Sequence, residues 1–140
     1  MSTSVFQPSL SATRPEGWFA KESITLLAPD GQANIIISSE PLAADIDTWT
    51  YASVQGQLLA REFPGYVEHW FCAEPILGRP DGLVRDFSWR PPDGVEVSQI
   101  QFYCVIDSRG YTGTATTPRH QFAELEQVLR STLLSAMVRL

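Results

Sequence analysis

Residues 98–107 read SQIQFYCVID, in which Ile100, Phe102, Cys104 and Ile106 alternate with Gln99, Gln101, Tyr103 and Val105. A period of two predicts a β-strand with one apolar face and a second face that is half apolar and carries two amides. A strand facing solvent would carry Lys, Glu or Thr there, so the pattern predicts a face that meets something other than water. The runs ESITLLAP (22–29) and QANIIISSE (32–40), joined by Asp30-Gly31, read as a hairpin. Ile24 and Leu26 share one face of it and Ser23, Thr25 and Leu27 the other, while Ile35 and Ile37 oppose Asn34, Ile36 and Ser38. Both faces are more apolar than a one-sided sheet requires.

Asp45 or Asp47 is placed to cap a helix that runs through Trp49, Ala52, Leu58, Leu59 and Phe63 and stops at Pro64. Gly56 in its middle costs about 1 kcal/mol against alanine, which predicts close packing at that point. YVEHWFCAEPIL, GLVRDFSWR, VEVSQIQFYCVID and YTGTATT follow, separated by Pro, Asp and Gly turns, and read as a four-stranded antiparallel meander. From Pro118 a second helix lines up Phe122, Leu125, Val128, Leu129, Thr132, Leu133 and Ala136 on one apolar stripe. Val138 to Leu140 reads as a short edge strand. The expected fold class is α+β, an antiparallel sheet of about six strands with two helices, in one domain over residues 1–140. Trp49, Trp70 and Trp89 are expected in its core.

Composition narrows the function. With 44% hydrophobic and 19% charged residues, the chain has enough apolar surface to fold without a disulfide or metal staple. Its net charge is −6, and its ten basic residues, nine Arg and Lys21, are spread singly along the chain. A nucleic-acid partner needs a clustered basic footprint, so none is expected. Cys72 and Cys104 sit in apolar, strand-like segments and read as buried free thiols. The stretch MSTSVFQPSLSATRPEGW has neither the basic nor the apolar part of a secretion signal, and no apolar run reaches spanning length. The expected location is cytoplasmic, with no stable membrane anchoring.

Enzyme chemistry finds little support. His69 and His120 have no companions at ligand spacing, so no metal is expected. Cys72 lies three residues from His69, which on a regular strand sends the two side chains to opposite faces. No nucleophile elbow, phosphate loop or dinucleotide fingerprint is present, and no cofactor is expected. Asp86, between Arg85 and Phe87, reads as half of a cross-strand ion pair. The expectation is a non-catalytic binding protein.

PEGW at 15–18, SITLLAPDGQANIIISSEPL, QGQLLAREFPGY, the GLVRDFSW strand at 82–89, SQIQFYCVID, YTGTATTP and the ending SAMVRL together resemble the DcrB-like (DUF1795) family. The resemblance covers nearly the whole chain and implies a Mog1/PsbP-like α/β sandwich. Within that family the chain is closest in type to the Eag chaperones of type VI secretion systems. It therefore implies a homodimeric chaperone that holds the hydrophobic, transmembrane-type N-terminal segment of a secreted effector on a free sheet face. Carried onto this sequence, the binding residues are Ile24, Leu26, Ile35, Ile37, Gln57, Gln99, Gln101 and Tyr103. The alternative on the same fold is a module comparable to Mog1 or PsbP proteins, which recognises a folded partner through loops.

Overall fold

The computed structural model describes residues 9–139; Met1 to Pro8, at the head of the stretch read for a secretion signal, and Leu140 lie outside the described residues. The elements are β1 (Glu22–Leu27), β2 (Asn34–Pro41), α1 (Thr48–Glu62), β3 (Val67–Ala73), β4 (Leu83–Trp89), β5 (Val97–Ile106), β6 (Arg109–Pro118) and, after a 3-10 turn at Arg119–Gln121, α2 (Phe122–Leu134). All six strands form one antiparallel sheet in the order β1-β2-β6-β5-β4-β3. The expected α+β architecture is the one observed.

Local chemistry explains the boundaries. The β1–β2 hairpin closes where Ala28 N donates to Ala33 O at 2.9 Å around Asp30-Gly31. Asp47, rather than Asp45, caps α1: its Oδ1 accepts from Thr50 N at 2.7 Å. Pro64 lacks the N–H a further helical turn would need, and α1 ends at Glu62. The chain then crosses from the middle of the sheet to its far edge, and the meander β3-β4-β5-β6 walks back until β6 pairs with β2.

The two helices lie on opposite faces. α2 packs Leu129 and Leu133 on Ile35, Ile100, Phe102, Cys104 and Ala115, with Ile76 and Val84 completing this main core. Gly113 belongs to it through its lack of a side chain, since a Cβ there would lie 2.3 Å from the Phe102 ring. α1 makes a smaller core on the other face, with Tyr51 and Ala52 against Tyr103.

Three details differ from the sequence reading. Val138 and Arg139 are not in a strand; the sheet edges are β1 and β3. Trp49 is 61% exposed, since it sits on the flank of α1 and not on the line through Ala52 that meets the sheet; Trp70 and Trp89 are half-buried. Cys72 is exposed on the edge strand, whereas Cys104 is buried as expected.

Candidate functional site

Register decides which side chains share a face. One row across all six strands reads Thr25, Ile36, Thr114, Gln101, Arg85, Phe71, and the next row reads Leu27, Asn34, Thr116, Gln99, Phe87, Glu68. Both rows lie on the α1 face. The helix covers only their β5–β4 half.

Arg85 is the keystone of the covered half. Its side chain is 5% exposed, yet its guanidinium is well partnered. Nε donates to Glu68 Oε1 at 2.7 Å, and Nη1 donates to Tyr103 Oη at 2.8 Å and to Ala52 O at 3.3 Å. It also lies 4.2 Å from the centroid of the Phe71 ring. Burial works against the charge, but Tyr103 and Glu68 outweigh it and hold the Arg85 pKa above its ordinary value. Gly56 passes directly over this group, which meets the expectation of close packing at that residue. Tyr103 donates in turn to Gln101 Oε1.

Along the β3 flank of α1 runs an open groove of about 390 Å³ lined by Trp49, Gly56, Gln57, Tyr66, Phe71 and Arg85 among others. Trp49 and Phe71 meet at 5.8 Å between ring centroids. Burial pushes the Tyr66 pKa up to about 12, so its hydroxyl is neutral at physiological pH and donates to Glu68.

The other flank is different in kind. Over β6, β2 and β1 the α1 face carries no helix, and its side chains are Thr, Ser, Asn and Gln around two aliphatic groups, Leu27 at 72% exposed and Ile36 at 40%. Gln99 closes the strip on one side: Trp89 Nε1 donates to its Oε1, and its Nε2 donates to Thr116 Oγ1, both at 2.8 Å. Glu40, bonded by the Tyr51 hydroxyl at 3.2 Å, marks one end. Between these limits the floor is uncharged.

The residues inferred from the resemblance do not form one surface. Ile24, Leu26, Ile35 and Ile37 lie on the opposite face, where Ile35 is 7% exposed in the α2 core and Leu26 and Ile37 pack against that core. The correction follows from the pairing: Ile35 and Ile100 flank Ala115 in one row, whereas Ile36 and Gln101 flank Thr114 in the next. Tyr103 is fully buried beneath α1 and cannot touch a partner. Gln57 is exposed in the β3-side groove, across the helix from the two sheet amides. Gln99 and Gln101 border the open strip, half-buried. Leu27, Ile36, Thr114 and Thr116 escaped the sequence reading because only the β2–β6 register brings them beside the amides.

A bulge in β3 also changes a prediction. The register shifts between Glu68 and Trp70, and His69 turns to share a 2.9 Å hydrogen bond with Ser88 on the α2 face, the face that Cys72 also occupies. The expected separation of His69 and Cys72 to opposite faces is therefore lost. Burial raises the Cys72 pKa, with Glu74 adding to it, which disfavours a thiolate. Asp86 pairs across to a helix and not across strands: Arg130 Nη2 of α2 sits 3.3 Å from Asp86 Oδ2, also reaching Glu126 at 2.9 Å and lying over the Trp70 ring. Asp86 Oδ1 is buried without a hydrogen bond, and burial raises this carboxyl's pKa against the pull of Arg130 and His69. Among the described residues no group of three or more His, Cys, Asp or Glu could hold a metal ion, and no helix is long and apolar enough to cross a membrane.

No protein-family model and no curated protein matches the chain. Solved structures do. A Pseudomonas aeruginosa protein of unknown function, PA94, described as a putative regulator, superposes with a TM-score of 0.76 at 18% identity, over 91% of this chain and 90% of its own. LpqN of Mycobacterium tuberculosis, involved in cell envelope biogenesis, gives 0.58 at 18% identity over 78% of this chain and 64% of its own. The cyanobacterial PsbP (CyanoP) of Synechocystis sp. PCC 6803 gives 0.53 at 11% identity over 87% of this chain and 81% of its own. The chain has a PsbP-like fold.

Proposed function

We propose that this chain is a non-catalytic protein-binding module, and more narrowly a cytoplasmic, homodimeric chaperone that holds an apolar helical segment of a secreted effector. The resemblance to DcrB-like and Eag proteins suggests the role. The observation that carries it is the half-covered α1 face: an uncharged strip over β6, β2 and β1 with Leu27 and Ile36 open to solvent.

Its dimensions suit a helix. Three strands are about 14 Å wide and six residues of strand about 20 Å long, against a helix diameter of about 10 Å. Burying some 400 Å² of apolar surface there stabilises a complex by roughly 10 kcal/mol before association costs. Hydroxyl and amide groups beside the aliphatic pair can meet small polar residues of the guest without setting a charge against hydrocarbon. Gln99 already uses one donor and one acceptor inside the protein and Thr116 accepts from it, so Thr114 and the amide Nε2 of Gln101 are the better partners.

The test is co-expression with an apolar helical N-terminal peptide and recovery of the complex without detergent. Wild type should retain the peptide, the double variant Leu27→Asp/Ile36→Asp should lose it, and Trp49→Ala, on the other flank of α1, should keep it. Full retention by the double variant would remove the strip as the site.

A further inference from the structure

Three of the ten basic residues scattered along the sequence meet at one place. Arg14, Lys21 and Arg109 line an open cavity of about 570 Å³ together with Phe19, Glu22 and Pro41. It lies where β1 begins, β2 ends and β6 begins, on the α2 side of the sheet, away from the strip that is proposed to hold an apolar segment. Three cations face one carboxylate there, in a chain whose net charge is −6.

They also lack the carboxylate partners that four other arginines have. Arg61, Arg85, Arg90 and Arg130 each lie within 4.0 Å of a carboxylate oxygen. Arg14, Lys21 and Arg109 make no ion pair among the described residues; Arg109 Nη2 donates to Ser39 Oγ at 2.9 Å, and Ser39 Oγ donates to Glu22 Oε1 at 3.4 Å. Three like charges against a single carboxylate leave a net positive charge at the cavity, and an anion relieves the repulsion among them.

We infer that this cavity is a binding site for the carboxylates of an acidic segment of a protein partner. Three features favour a peptide over a phosphate or nucleic acid. Arg14 and Lys21 lie seven residues apart in the segment before β1 and Arg109 opens β6, all lining a wide cavity, which suits several single charges along a chain better than one compact dianion. Glu22 in the lining repels a compact dianion more than it repels single carboxylates spaced along a chain, and it can accept a peptide N–H. Phe19, in the lining and 62% exposed, offers apolar contact to the residues between the acids. The overall negative charge opposes a long polyanion.

Fluorescence anisotropy with a fluorescein-labelled peptide of alternating glutamate and leucine tests this in about 50 mM salt, where exposed charges are weakly screened. Arg14→Glu/Lys21→Glu changes exposed side chains only and should weaken binding by about tenfold or more. Arg61→Glu/Arg90→Glu, the same change in net charge elsewhere, should leave it within about twofold. Leu27→Asp/Ile36→Asp should have no more effect than that control, which separates this site from the apolar strip. The inference is overturned if wild type does not bind the peptide, if the two charge reversals weaken it equally, or if pyrophosphate or a thymidine oligonucleotide displaces it at lower concentration than unlabelled peptide does.

Discussion

A Cβ placed on Gly56 would lie 2.6 Å from Nη2 of Arg85. A flexible arginine could normally step aside, but this guanidinium is held by Glu68, Tyr103 and the carbonyl of Ala52. Gly56→Ala should therefore destabilise the fold by about 1–2 kcal/mol, even though alanine favours the helix itself by about 1 kcal/mol. Urea denaturation checks the sign; a more stable variant would mean that Arg85 moves freely.

Arg85 itself ties β4 to three other elements, β3, β5 and α1. Arg85→Ala removes a buried side chain and a hydrogen-bond partner of the Tyr103 hydroxyl, and should cost about 3 kcal/mol. Arg85→Lys should recover less than half of that, because an ammonium cannot reach three acceptors in the planar geometry of the guanidinium. Midpoints of chemical denaturation at constant slope give both values.

Ile35 and Ile36 are sequence neighbours with opposite fates. Ile35→Ala, in the core under α2, should lose about 2–4 kcal/mol of stability. Ile36→Ala, 40% exposed on the strip, should lose less than about 1 kcal/mol while reducing capture of an apolar helical peptide. Thermal unfolding together with co-purification separates the two effects.

Asp86 has a pKa raised by burial. The native state thus binds its proton more tightly than the unfolded chain does. As pH rises from below the ordinary carboxylate value of 3.8 through the folded pKa, the unfolded state releases the proton first and the contribution of Asp86 to stability falls. Asp86→Asn cannot titrate, so the unfolding free energy of the variant relative to wild type should rise across that window and then level off. Parallel denaturation series between about pH 3 and 7 measure it; a relative stability that falls as pH rises would mean the Arg130 pair dominates.

Much of the architecture is written in local pattern. Period-two runs bounded by Asp-Gly and Pro-Gly mark the strands, Asp47 and Pro64 bound α1, and the stripe from Phe122 to Ala136 faces inward except at Val128, which is exposed. These signals are local because alternation, capping and the missing proline N–H act within a few residues.

The candidate site was legible only in part. The amide-bearing face of β5 and the tolerance for Gly56 could be read directly, yet the isoleucines grouped with Gln101 lie on the other side of the sheet. Alternation says which residues of one strand share a face; it does not say which face of a distant strand joins them. That choice belongs to the β2–β6 pairing, which sets Ile36 beside Thr114 and sends Ile35 to Ala115. The extra residue in β3 that turns His69, and the gathering of Arg14, Lys21 and Arg109 around one cavity, are likewise properties of the folded chain. The sequence by itself determined the elements and their two-faced character, because those follow from neighbours along the chain. Tertiary structure alone decided where α1 stops covering the sheet, since that depends on hydrogen-bonded partners as far apart as Ile36 and Thr114.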